Sequence, residues 1–174
     1  MRARLAVAVA AAGALVSVAA AQASAEQGGQ HISDLRAATA KYASLSVAEG
    51  EGFGVVPDAA GVTCIHDPAK GGMGTHFGPG SRIGDGEISL LEPEILLYDL
   101  TSTPDRFLGV EYTVFVADWE ANHGSQPPKL FGKKFTLVPA GNRYGIPAFY
   151  EQHVWLGESN VVGLLKDYNP GVSC

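Results

Sequence analysis

The chain reads as an α+β domain, with one N-terminal amphipathic helix packed on a mainly antiparallel β-sheet that is either open or curled into a barrel. Two observations predict this class. Apolar residues recur at spacings of three and four near the front of the chain, and the text after them is a series of short β-like runs divided by Gly, Pro, Asn and Asp. Short links between successive runs favour antiparallel pairing, and a helix segregated to the front completes the class.

In chain order, Arg2 and Arg4 precede an apolar run from Leu5 to Ala21, and Ala23-Ser24-Ala25 offers the small residues of a processing site. Residues 1–25 are therefore expected to be a cleaved secretory signal, leaving 26–174 as a single secreted globular domain. The apolar run is alanine-rich and falls short of the ~20 strongly apolar residues of a membrane-spanning helix, so no stable membrane insertion is expected after cleavage. The stretch from Glu26 to Gln30 is polar and expected to fray. Ile32, Leu35, Ala38, Tyr42 and Leu45 then form one helical stripe running to about Glu49, with Ser33 or Asp34 as cap and Gly50 and Gly52 as stop.

Strands are predicted over Glu87–Leu100, Phe107–Ala117, Lys129–Pro139 and Ala148–Leu156, with weaker ones around Val55 and Thr63. Gly78-Pro79-Gly80, Asp85-Gly86, Ser102-Thr103-Pro104-Asp105, Gln126-Pro127-Pro128 and Ala140-Gly141-Asn142 supply turn chemistry between them. Cys64 and Cys174 are the two cysteines; an even count without CxxC spacing, in an exported chain, predicts one structural disulfide. The formal charge is −6, and it becomes −8 once Arg2 and Arg4 leave with a leader that holds no acid. Nucleic acid and anionic membranes are poor partners for such a surface.

Strand alternation sorts the polar residues by face. Val110, Tyr112, Val114 and Val116 share one side, with Glu111, Thr113 and Phe115 on the other; Glu151, His153 and Trp155 share one side, with Tyr150, Gln152 and Val154 opposite. Glu94 opens the run Pro93-Glu94-Ile95-Leu96-Leu97-Tyr98, and His76 ends a glycine-rich stretch whose backbone can approach its neighbours closely. If these strands converge, His76, Glu94, Glu111 and His153 form a two-imidazole, two-carboxylate set suited to a divalent transition metal such as zinc, iron, manganese or copper. In that reading His76, Glu111 and His153 are ligands, Glu94 is a fourth ligand or catalytic base, and Phe115 and Trp155 wall a dry pocket. The plainer alternative makes Glu94 and Glu111 solvent-facing strand residues, and the histidines hydrogen-bonded structural side chains. Of the two carboxylates, the facial argument supports Glu94 less.

Other chemistries find little footing. His66 follows Cys64 by two residues, but a bridged cysteine has no thiolate to offer. His31 and His123 sit in polar segments. No Gly-x-Ser-x-Gly, P-loop, dinucleotide fingerprint, HExxH or complete EF-hand loop occurs, nor the two strand histidines one residue apart typical of cupins. Trp119 and Tyr144, with charged neighbours, are the aromatics expected to be most exposed.

Gly72-Met73-Gly74 with His76, Pro93-Glu94 with Leu97-Tyr98, Gly109-Val110-Glu111-Tyr112, Phe149-Tyr150 with His153-Val154-Trp155, and Asn169-Pro170 with Ser173-Cys174 give the chain its pattern. It resembles a family of small secreted bacterial proteins over most of 26–174, although Phe77 stands where that family often has Tyr. The resemblance implies a discrete exported domain and carries over no reaction or ligand. The residues themselves leave two expectations: a secreted metal-binding domain, extending to a metal-dependent enzyme with a His/Glu site in a β-sheet pocket, or a non-catalytic exported domain that binds a small apolar or aromatic ligand or a surface protein.

Overall fold

The computed structural model describes residues 28–79 and 81–174, so the signal segment expected at 1–25 lies outside the described residues. The predicted helical stripe is present: Leu35 and Tyr42 are buried, and Ile32, Ala38 and Leu45 are half-buried. It is not one helix. Helix α1 covers 28–39, a 3-10 turn spans Ala40–Ala43, and α2 runs over Leu45–Gly50. Ser44 lies in extended backbone between them, with φ −102° and ψ 117°. Two hydrogen bonds explain the break. The Tyr98 hydroxyl donates to the Tyr42 carbonyl at 2.8 Å, occupying an acceptor that a continuing helix would use, and the Thr39 hydroxyl donates back to the Leu35 carbonyl at 2.8 Å. Residues 28–30 are helical rather than frayed, which puts Ser33 and Asp34 inside α1 and not at its cap.

The main sheet is antiparallel throughout. β1 (Gly54–Val55) and β2 (Cys64–Asp67) both pair with β3 (Gly71–Gly78), followed across the sheet by β4 (Ile95–Asp99), β5 (Arg106–Phe115), β9 (Phe149–Trp155) and β8 (Thr136–Val138). β6 (Lys129–Leu130) and β7 (Lys133–Lys134) form a separate hairpin. The sheet stays open; among the described residues no pairing closes it into a barrel.

Four strand expectations change. Lys129–Pro139 divides into the separate β6–β7 hairpin and β8 of the main sheet. Glu87–Leu100 yields a strand only over Ile95–Asp99; β5 ends at Phe115 and passes directly into helix α3 (Val116–His123); and the glycine-rich stretch becomes the long buried strand β3. Glycine is required in β3 because a methyl at Gly74, where φ is +85°, would meet Leu108 Cδ1 at 2.6 Å and the Tyr98 carbonyl at 2.8 Å.

Alternation divides the sheet into two faces. Phe77, Leu96, Tyr98, Val110, Tyr112, Val114, Tyr150 and Val154 pack under Leu35, Tyr42, Ala48 and Phe53 of the helical segment. The opposite face carries a smaller apolar group of Ile95, Leu97, Leu108, Trp155 and Val172. The C-terminal segment lies against this second face. Asn169 and Gly72 exchange backbone hydrogen bonds of 3.1 and 2.9 Å, and the Trp155 indole N–H donates to the Lys166 carbonyl at 2.5 Å. The Cys64–Cys174 disulfide ties its end to β2, joining residues 110 apart in sequence. No helix among the described residues is long and apolar enough to cross a membrane.

Candidate metal centre

His76 on β3, Glu111 on β5 and His153 on β9 all project from the second face, because each alternates with residues of the helix-covered core. Glu111 is the direct cross-strand partner of His153 and of Ile95. All three side chains are almost fully buried, at 3%, 6% and 1% exposure. Glu111 Oε2 lies 3.3 Å from His76 Nε2 and 3.7 Å from His153 Nε2, and one ligand atom from each residue lies within 4.8 Å of the others. Two ligands held ~2.0 to 2.1 Å from a tetrahedral ion stand about 3.4 Å apart, close to the two histidine–glutamate spacings.

These contacts are not ion pairs between charged groups. Burial pushes the His76 imidazolium down to about 4, with the Glu151 charge pulling back and Arg143 adding to the fall. His153 is pushed well below the ordinary histidine value by burial, then by His76 and Lys133. Both rings are thus neutral near pH 7, the form that donates a lone pair to a metal. Glu111 and Glu151 are both pushed up, first by burial; the charges of Glu111 and Asp167 raise Glu151 further. Carboxyls held protonated in this way are what a nearby cation would ionise.

Hydrogen bonding tests whether the residues suit an ion. A buried imidazole ordinarily finds partners, yet His76 Nδ1 and both nitrogens of His153 have none. Leaving such a group unpaired costs ~1 to 3 kcal/mol. A metal on the inward nitrogens removes part of that cost, so the donor set fits a transition ion.

Two cavities meet at the cluster. One of about 50 Å³ is bounded by His76 and Glu111 together with Ile83, Ile95, Tyr144 and Phe149. The other, of about 260 Å³, is bounded by His76, His153 and Glu151 with Arg143, Tyr144 and Tyr168. Tyr144, expected to be exposed, is half-buried, and its ring stands edge-on to His76 at 6.4 Å. Arg143 on the same loop is held by Asp58 at 2.8 Å.

The remaining sequence candidates lie apart from this group. Ile95, not Glu94, pairs with Glu111, so alternation carries Glu94 away; its buried carboxyl accepts the Thr113 N–H at 3.1 Å. Phe115 is half-buried near Gly84, at the far end of β5, and the aromatic walls of the cavities are Tyr144, Phe149 and Tyr168. Trp155 shares the site's face but borders a separate cleft with Arg36 and Glu158. His31 and His66 are exposed, and His123 stacks on Trp119 at 3.9 Å.

Two carboxylates enter that sequence reasoning left out. Glu151 was visible as the residue two before His153 on the same strand face. Asp167, whose Oδ1 lies 4.0 Å from His153 Nδ1, sits in irregular backbone with no periodic signal. The only pointer to it was Cys174, seven residues on, whose bridge brings that segment back to the sheet. Compared with protein-family models, curated proteins and solved structures, the chain shows no significant match.

Proposed function

We propose that this domain binds one divalent transition-metal ion through His76, His153 and Glu111, outside the cytoplasm. The observation that carries the reading is a buried convergence of two neutral imidazoles and a carboxylate from three separate strands, with imidazole nitrogens lacking any protein partner. The disulfide and the N-terminal segment support export.

An ion held by His76, His153 and Glu111 would supply Lewis acidity toward an oxygen ligand. The protein's own residues define what else enters. The 50 Å³ cavity beside His76 and Glu111 has room for water or for a ligand of a few heavy atoms. Its lining of Ile83, Ile95 and Phe149 is apolar, and a low local polarity strengthens electrostatic interactions beside His76 and Glu111. A metal-dependent reaction on a small oxygen-bearing molecule is the enzymatic form of this proposal.

Element analysis of protein purified without added metal tests it. Near-stoichiometric zinc, copper, iron or manganese, lost in a His76→Ala plus His153→Ala variant, is the expected result. Metal-free protein whose stability ignores chelator would instead favour a non-catalytic exported domain binding a small apolar ligand or a surface protein.

A further inference from the structure

We propose a second cation site on the outer side of the His153 ring, made by His153 Nδ1 with the carboxylates of Glu151 and Asp167, so that one imidazole bridges two ions. The inference rests on the reading of the first site.

The His153 ring carries the argument. Its Nε2 faces Glu111 and its Nδ1 faces Asp167, and neither nitrogen has a hydrogen-bond partner although the side chain is 1% exposed. With Nε2 given to the first ion, a neutral ring keeps its proton on Nδ1 and needs an acceptor there. Asp167 Oδ1 is 4.0 Å away, beyond the ~3.2 Å reach of a direct hydrogen bond. A cation bound to both atoms spans that gap. Glu151 completes the set, since one ligand atom from each of Glu151, His153 and Asp167 lies within 4.8 Å of the others.

Charge balance points the same way. Glu111, Glu151 and Asp167 place three carboxyl groups around His153, while the two basic residues that act on the site are engaged elsewhere. Lys133 donates to the Leu165 carbonyl at 2.8 Å, and Arg143 is paired with Asp58. Two dications would be balanced by three carboxylates and one imidazolate, each ion favouring ionisation of the carboxyl groups that it meets. When the second ion binds, the Nδ1–H bond breaks, the nitrogen lone pair goes to the ion, and the proton leaves to solvent. Asp167 is 35% exposed, which gives that ion and that proton a route.

The test loads the full mature domain and an Asp167→Asn variant with Cu²⁺ by equilibrium dialysis, then compares bound copper with the intensity of the electron paramagnetic resonance signal. Two ions per chain are expected in the wild type, with much of the signal lost because imidazolate-bridged Cu²⁺ ions couple. Asp167→Asn should hold one ion with full signal, and Glu151→Gln should behave alike, with near-ultraviolet circular dichroism reporting that both remain folded. One ion in wild type and in Asp167→Asn overturns the second site and leaves the first intact, a water then linking Nδ1 to Asp167. Two ions in all three proteins place the second ion elsewhere and overturn the inference. Loss of all copper in Asp167→Asn alone would make Asp167 part of the first site, and no copper in wild type would remove both readings.

Discussion

His76 and His153 stand ring against ring, with centroids 5.8 Å apart and planes at 87°, although β4 and β5 lie between their strands. Side chains that cross this distance to meet at one carboxylate contribute little to stability unless something holds their nitrogens. Binding of an ion to the folded chain alone, at 100 times its dissociation constant, adds ~2.7 kcal/mol. At ~2 to 4 °C per kcal/mol, chelator should lower the melting temperature of wild-type protein by roughly 5 to 10 °C. The His76→Ala plus His153→Ala variant should ignore chelator in the same calorimetric scan; an equal drop in both would place the ion elsewhere.

The two glutamates of the site should separate by position. Glu111→Gln removes the carboxylate between the imidazoles and should weaken the first ion at least tenfold in a competition titration with a chromophoric chelator. Glu151→Gln should leave that first affinity within a factor of about three. Equal losses would mean that the two carboxyls act on one ion.

The disulfide closes a loop of 110 residues, for which the chain-entropy treatment gives about 4 to 5 kcal/mol. Reduction is expected to lower the melting temperature by roughly 10 °C or more. It should also weaken metal binding on the Asp167 side, because Cys174 anchors the segment that carries this residue. Two free thiols in the native protein, found by mass spectrometry, would refute the premise.

Glu94 gives a pH signature away from the histidines. Its carboxyl is pushed up from 4.5 to about 8 by burial, against the pull of the Thr113 N–H. An acid raised on folding holds its proton more tightly in the folded chain. Its stabilising contribution is therefore complete below the unfolded value near 4.5 and fades as pH rises toward about 8. Glu94→Gln, which keeps the shape without the charge, should be more stable than wild type at pH 8 by on the order of 1 to 3 kcal/mol and nearly equal at pH 5. Urea melts at the two pH values check this, and a constant difference would contradict it.

Much of the site was legible because it rests on period-two alternation. The faces of β5 and β9 follow from the sequence, and they place Glu111 and His153 on one side and Tyr112 and Val154 on the other. The helical stripe was legible for the same reason, whereas its break at Ser44 depends on a hydroxyl from Tyr98, far along the chain. β3 was hidden by its glycines, which weaken any strand signal while permitting the close passage of Tyr98 and Leu108. Glu94 shows the limit of face arguments at a strand end, where one residue of register decides the side. Asp167 lies in backbone without a period and reaches the site through tertiary tethering alone.

X-ray absorption at the edge of the bound metal tests the central claim most directly, because imidazole rings leave a characteristic multiple-scattering pattern. Loaded with one ion per chain, the wild type should show two imidazole nitrogens and at least one oxygen at ~2.0 to 2.1 Å, and His76→Ala should lose one imidazole. An all-oxygen shell, or an imidazole pattern unchanged in His76→Ala, would contradict a centre built on His76 and His153.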